Sequence, residues 1–208
     1  MSARARTAIV VAGGDLVSGH GDGRGLGWVG RVALRTTAVL PSARFHALGV
    51  PGEDSAALHD RCMTEAERRF SVDGVNRLVL APSASDVVSG LSIARSRLNL
   101  ANILDDALSK EVGTFVVGPP PARGTEVNER IHELSNSFSD VAVRRGITYV
   151  DTFTPLVDHP VWQRELALTE DGLPGQEGYG LLAWLVLNRG WFDWLGVADP
   201  LDSGTTGA

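Results

Sequence analysis

The stretch Gly13-Gly-Asp-Leu-Val-Ser-Gly-His-Gly-Asp22 follows an apolar run, residues 7–12, that predicts a buried first strand. A segment with helical spacing of apolar residues begins near Trp28. A glycine-rich turn between a strand and a helix exposes backbone amides at the edge of a sheet, where open α/β folds bind their ligands. We therefore expect the fold and the candidate site to be organised around this turn.

The same stretch resembles the opening block of the SGNH, or GDSL, esterase/lipase family. That block reads Gly-Asp-Ser, three variable residues, Gly, any residue and Gly-Asp. The positions that fit it are Gly13, Leu16, Gly19, Gly21 and Asp22. The position of the nucleophilic serine instead holds Asp15, and Gly14 stands where the family has Asp. Shifting the comparison by one residue does not supply a serine.

Two later segments resemble the family's second and third blocks. Leu48-Gly-Val-Pro-Gly-Glu-Asp-Ser is similar to the second block, which implies that the Gly52 amide would donate to an oxyanion. The third block, Gly-any-Asn-Asp, falls on Ser83-Ala-Ser-Asp86. Asp86 is retained, whereas Ser85 replaces the asparagine whose side chain would be the second donor.

The fifth block of the family, Asp-Gly-any-His-Pro followed by Gly-Tyr, reads here as Asp171-Gly-Leu-Pro174 and then Gly178-Tyr179. The histidine is deleted, so Asp171 lacks the base that it would orient. Acyl transfer in such a site needs a hydroxyl nucleophile, an imidazole and oxyanion donors. Loss of one member of a serine-protease triad costs about 10⁴- to 10⁶-fold in turnover. We therefore predict no ordinary esterase activity.

The alternation of strand-like and helix-like segments predicts a parallel sheet covered on both faces. The predicted strands cover residues 7–12, 43–48, 77–81, 114–117 and 147–150. The predicted helices cover residues 26–40, 55–70, 91–109, 126–146, 176–188 and 191–195, and residues 151–175 show little regular pattern. This predicts a flavodoxin-like, doubly wound, three-layer α/β/α domain with five parallel strands, the fold that the resemblance to SGNH hydrolases also implies.

The composition limits the possible partners and the compartment. A chain of 208 residues suits one domain, which we place at residues 1–198, with a disordered tail at 199–208. The net charge of −6 argues against nucleic acid, and no run is long enough for a membrane span. The first apolar run is too short for a signal peptide, so we expect a cytoplasmic protein. Cys62 is alone, which excludes an internal disulfide, and the oligomeric state stays open.

Three aspartates are the main candidates for chemistry. The family geometry implies that Asp15, Asp86 and Asp171 lie at one end of the sheet. We expect Asp86 and Asp171 to accept hydrogen bonds from loop amides, whereas Asp15 would face the cleft and act as an acid or base. The alternative for Asp15 is a helix N-cap without chemistry. Their separate loops have no metal-ligand spacing, so we predict neither metal nor cofactor.

Two histidines extend the candidate site. His20 lies five residues after Asp15 between two glycines, so that it would either exchange protons with Asp15 or be a solvent-exposed loop residue. His46 ends the second strand near Gly52 and would either line the pocket or pack in the core. The predicted catalytic set is Asp15, His20 and Asp171. The predicted substrate-binding set is Gly14, Gly52, Ser85, Asp86 and His46.

Three functions fit this sequence. The first is a repurposed, non-hydrolytic enzyme in which Asp15 performs acid/base chemistry on a small biosynthetic intermediate, by cyclisation, elimination or isomerisation. The second is a pseudoenzyme that binds a small molecule or docks a partner. The third, weaker one is an ester hydrolase or acyltransferase with Asp15 as nucleophile. Because an ionised Asp15 would repel an oxyanion, we expect a neutral or cationic ligand, or a protonated Asp15 that donates a hydrogen bond.

Overall fold

The computed structural model describes residues 6–199. Within this range, five strands form one all-parallel sheet in the order β2-β1-β3-β4-β5. The strands are β1 (Thr7–Gly13), β2 (Ala43–Gly49), β3 (Val75–Ala81), β4 (Gly113–Val117) and β5 (Thr148–Val150). This is the flavodoxin-like strand order, and it confirms the predicted α/β fold.

At least one helix follows every strand. The helices are α1 (Asp15–Ser18), α2 (Gly27–Val39), α3 (Ser55–Glu67), α4 (Ser85–Val88), α5 (Ile93–Ser109), α6 (Thr125–Val143), α7 (Pro160–Leu168), α8 (Gln176–Val186) and α9 (Phe192–Leu195). The segment Leu187–Trp191 joins α8 to α9, and its backbone departs from helical geometry at Arg189 and Gly190. No helix between residues 6 and 199 has the length and apolar character needed to span a membrane.

The sheet separates two apolar cores, which together give three layers. Alternate residues of β1 serve opposite faces, so that Val10 packs with α3, α5 and α6, while Ile9 packs with α2, α7 and α8. Every residue of β1 is buried. Complete burial explains why this central strand reads as a continuous apolar run instead of an alternating one.

Three helices were not predicted: the short helices α1 and α4, where a turn and a loop were expected, and α7. Residues 151–175 were expected to be irregular, and this expectation is wrong for α7, which begins with Pro160 directly after His159. Only Trp162 and Leu166 of this helix are buried, so its apolar pattern is too sparse to be recognised in the sequence. The predicted tail lies outside the described residues from position 200 onward.

The candidate site lies where the strand order reverses. From β1 the chain passes to β2 on one side and then to β3 on the other, which leaves a crevice beyond the carboxyl ends of β1 and β3. At this point a Cβ atom on Gly13 would lie 2.1 Å from the Ala81 carbonyl oxygen, so that only glycine fits. The close approach of the two strand ends brings Asp15 and Ser83 to one crevice.

Candidate functional site

Asp15 begins α1 immediately after β1, at the predicted position of a nucleophile. Its Oδ2 atom accepts a hydrogen bond of 2.9 Å from the backbone amide of Gly52. Gly52 has a φ of +68°, a conformation that glycine adopts without strain. The carboxylate of Asp15 therefore accepts a hydrogen bond from the amide that the family resemblance implies as a donor to an oxyanion.

The turn that carries Gly52 is held by a buried ion pair. Arg61 on α3 binds both carboxylate oxygens of Glu53, at 2.5 and 2.6 Å, and donates to the Leu48 carbonyl at 2.9 Å. The Glu53 side chain is 2% exposed. Asp54 then caps α3 by accepting from the amides of Ala56 and Ala57. The position of the Gly52 amide thus depends on a charge pair behind it.

The loop after β3 contributes hydroxyl groups. The side chains of Ser83 and Ser85 hydrogen-bond to each other at 2.8 Å, and Ser83 also lies 3.1 Å from the Glu53 carbonyl oxygen. Asp86 is buried beneath them and accepts from the Ser55 amide at 2.6 Å, while its second oxygen has no partner among the described residues. Asp86 therefore braces two loops, and it does not line the pockets at this site, although the sequence placed it in the substrate-binding set.

A cavity of about 200 Å³ opens beside these residues. Its wall includes Asp15, Ser85 and Asp171 together with apolar side chains such as Leu16, Trp162 and Leu166. The indole nitrogen of Trp162 donates to the Pro121 carbonyl at 3.0 Å, which fixes the ring. Asp15 and Asp171, from opposite ends of the chain, therefore share one largely apolar cavity.

A second, much smaller pocket lies next to the cavity. It measures about 20 Å³ and is lined by Gly14, Leu16, Trp28 and Ser83, among others. This volume is about that of one water molecule by the same measure. Gly14 thus lines the inner pocket instead of the main cavity. A Cβ atom at Gly14 would lie 2.9 Å from the Ser83 side chain, so the inner pocket depends on this glycine.

The structure pairs His20 with Asp171 and not with Asp15. His20 Nε2 lies 3.5 Å from Asp171 Oδ2, and the two side chains are 70% and 45% exposed. The other oxygen of Asp171 accepts from the Leu173 amide at 3.0 Å. The buried Tyr179 hydroxyl donates to the His20 carbonyl at 2.7 Å and so holds the loop in place. His20 is not part of the cavity wall, and Asp171 is the wall residue that it contacts.

His46 lies away from this site. It is in the middle of β2, the edge strand, opposite Val10 in the register. Partial burial, assisted by the nearby Arg69 charge, lowers the pKa of His46. It does not contribute to the cavity wall, so we leave it out of the proposed site.

Cys62 is fully buried, and burial raises the pKa of its thiol to about 12, as an inert core residue requires.

Asp22 organises the turn that carries His20. Its side chain accepts hydrogen bonds from the amides of Arg24, Leu26 and Gly27 and from the Arg31 guanidinium. The hydrogen bond from Arg31 is the main reason why the pKa of Asp22 is lowered to about 2. Asp22 is therefore a structural residue of the β1–α2 loop.

The sequence did not indicate the wall opposite Asp15. Pro120 and Pro121 belong to this wall and follow β4. Their position directly after a strand was the sequence feature that could have indicated them. Trp162 and Leu166 belong to α7, a helix that was not predicted. Among residues 6–199, no three histidine, cysteine or acidic side chains are arranged to hold a metal ion.

Most of the chain is similar in sequence to one known family. The sequence model of the GDSL-like lipase/acylhydrolase family matches residues 11–181. No curated protein matches the sequence significantly.

Solved structures with the same fold include several esterases. A lipase/acylhydrolase from Enterococcus faecalis aligns with a TM-score of 0.71 and 22% identity over 90% of this chain and 96% of its own. The acetylxylan esterase Axe2 from Geobacillus stearothermophilus aligns with a TM-score of 0.70 and 17% identity over 94% and 97%. The psychrotrophic esterase EstA from Pseudoalteromonas sp. gives 0.69 and 17% over 91% and 98%. At these identities the likeness concerns the fold.

Proposed function

This chain belongs to the GDSL-like lipase/acylhydrolase family, and we propose that it uses the family's cleft for proton transfer on a small molecule instead of ester hydrolysis. The observation that carries the proposal is the hydrogen bond between Asp15 Oδ2 and the Gly52 amide. It places a carboxylate at the position of the nucleophile and engages an oxyanion donor at the same time.

The surroundings of Asp15 disfavour acyl transfer. The Ser18 hydroxyl donates to the Asp15 carbonyl at 2.6 Å, and no histidine lines the cavity formed by the described residues. An oxyanion placed at Gly52 would have to displace a carboxylate and then lie beside it, which is electrostatically unfavourable. The same argument weighs against Asp15 as a nucleophile, because the resulting ester would still need a base and a water molecule.

The free oxygen of Asp15 supports a role as a base. Within residues 6–199, Asp15 Oδ1 has no hydrogen-bond partner, and the cavity beside it is mostly apolar. A carboxylate with one anchored and one free oxygen in such a cavity is suited to accept a proton from a bound molecule. Asp171 would return a proton, and the exposed His20 beside it would exchange that proton with water. Cyclisation, elimination and isomerisation need no more than such proton movements, and a small biosynthetic intermediate fits the cavity.

A binding protein is the second candidate, and the same Asp15–Gly52 hydrogen bond is the observation in its favour. This bond gives one oxygen of the Asp15 carboxylate a partner in the protein's own backbone, so that the group can serve as a fixed binding contact. A pseudoenzyme would hold a small molecule in this cavity or dock a partner there without transferring a proton.

The base-catalysed opening of 5-nitrobenzisoxazole separates these two candidates. In this reaction a base removes the ring C–H proton, the N–O bond breaks, and a cyanophenolate forms, so that no nucleophile or water is needed. General-base catalysis contributes about 10²- to 10⁴-fold. We expect the protein to open the ring at least about tenfold faster than an equal concentration of acetate, and Asp15→Asn to abolish the difference.

Asp60→Asn serves as the control, because Asp60 is an exposed aspartate on α3. If Asp15→Asn opens the ring as fast as the unmodified protein, Asp15 is not a base. If the probe quenches tryptophan fluorescence but is not turned over, the binding protein is the better description.

A further inference from the structure

We propose that the natural ligand carries an ammonium or similar cation on a compact apolar body, and that this cation pairs with Asp15. The inference rests on the proposed role of Asp15 as the group that faces the ligand. It goes further by naming the ligand's charge and its size.

The cavity wall carries two carboxylates, and that of Asp15 has no ion-pair partner among residues 6–199, whereas that of Asp171 lies 3.5 Å from His20. Asp15 and Asp171 are its only ionisable side chains among the described residues, and no lysine or arginine lines it. Arg123, on the segment before α6, lies next to Gly172 of the wall, but its guanidinium donates to the carbonyls of Leu166 and Thr169 and it lines a separate pocket. In a mostly apolar cavity an uncompensated carboxylate repels anions and attracts cations more strongly than it would in water. A cationic ligand would supply the missing charge.

The hydrogen-bonding groups of the wall favour a donor on the ligand. Asp15 Oδ1 is free to accept, because Gly52 occupies only Oδ2. Of the remaining polar side chains of the wall, Ser83 donates to Ser85, and the Ser85 hydroxyl is a neutral group that can donate or accept. An ammonium group carries donors and no acceptor, so it matches this wall better than a carboxylate or phosphate does.

The volume and the apolar side chains define the rest of the ligand. An apolar cavity of about 150 Å³ accommodates benzene, so about 200 Å³ admits a ring with a short arm. The Trp162 ring is held in the wall by its bond to Pro121, with Leu166 one helical turn further along α7. A flat aromatic or cyclic aliphatic body would bury its surface there, while its amine reaches Asp15.

Three probes of similar size and different charge test this inference. They are 2-phenylethylamine, 2-phenylethanol and phenylacetate, and their binding is measured by calorimetric titration at neutral pH. We expect the amine to bind about tenfold or more tightly than the alcohol, as a charge-assisted hydrogen bond allows, and phenylacetate to bind more weakly than the alcohol. Asp15→Asn should remove the preference for the amine and leave the affinity for the alcohol, whereas Asp60→Asn should change neither.

Each other outcome overturns the inference. These outcomes are equal affinity for amine and alcohol, a preference for phenylacetate, a preference for the amine that survives Asp15→Asn, and no binding by any probe. The benzisoxazole assay tests the proposed proton transfer independently of the ligand's charge. An amine preference without ring opening would leave a cation-binding site that transfers no proton. Ring opening without an amine preference would leave a base whose ligand is not cationic.

Discussion

The carboxylate of Asp15 accepts a 2.9 Å hydrogen bond from the backbone amide of Gly52. In a hydrolase of this family the first position would be the nucleophile and the second a donor to the oxyanion. Here the two positions satisfy each other. A carboxylate therefore stands where the resemblance implies a hydroxyl, bonded to the amide that it implies as an oxyanion donor, and four consequences can be measured.

Restoring the serine alone should not restore an esterase. In Asp15→Ser the hydroxyl would be freed from the carboxylate and the Gly52 amide would become available. However, the only histidine placed beside Asp171 within residues 6–199 is His20, and it lies outside the cavity wall. We expect turnover of 4-nitrophenyl acetate by Asp15→Ser to stay within about tenfold of the buffer rate, because a hydroxyl without a base is a weak nucleophile. Efficient hydrolysis that disappears in Asp15→Ser/His20→Ala would show that His20 reaches the site as a base.

Asp22 should make the fold sensitive to acid. The pKa of its carboxyl is lowered from 3.8 to about 2, chiefly by the hydrogen bond from Arg31. A lowered pKa contributes stability above pH 3.8 that is lost as the pH falls toward 2, and the shift corresponds to about 2 kcal/mol. In urea titrations the stability difference between the unmodified protein and Asp22→Asn should therefore shrink over this interval. A difference that stays constant down to pH 2 would contradict this assignment.

Breaking the buried Arg61–Glu53 ion pair behind Gly52 should lower the free energy of unfolding far more than breaking a partly exposed ion pair. Arg61→Met leaves Glu53, whose side chain is 2% exposed, as an unpaired buried charge. We expect a loss of about 3 to 5 kcal/mol in the free energy of unfolding. Arg69→Met is the matched control on the same segment, because its ion pair with Glu65 is about one-third exposed and should contribute at most about 1 kcal/mol. Equal losses in the two variants would show that Glu53 is solvated or protonated.

Much of the fold was predictable because its strands are buried apolar runs and its long helices carry apolar residues at helical spacing. The five strands and six of the helices were predicted from apolar runs and helical spacing. The helix α7 was not, since it buries only Trp162 and Leu166. That helix supplies part of the cavity wall, so the size of the cavity could not be predicted either.

The positions of site residues that follow strand ends could be predicted from the sequence, whereas contacts between loops could not. Asp15 and Asp171 line one cavity, in agreement with their expected location at one end of the sheet. The partner of His20 was not predictable, because the contact joins loops that are about 150 residues apart in sequence and depends on the Tyr179 hydroxyl. His46 was expected to end the second strand near Gly52, but β2 continues to Gly49 and His46 pairs with Val10 in the middle of the strand.

The most direct test of the account is the rate at which the unmodified protein hydrolyses 4-nitrophenyl acetate, measured together with labelling by a fluorophosphonate probe. The account predicts turnover indistinguishable from buffer and no covalent label, because position 15 is an aspartate that holds Gly52 and no histidine lines the cavity of the described residues. Ser18→Ala is the control for the hydroxyl that donates to the backbone carbonyl of Asp15. Robust turnover that survives Ser18→Ala would reveal another nucleophile and contradict the claim that this cleft is not an esterase site.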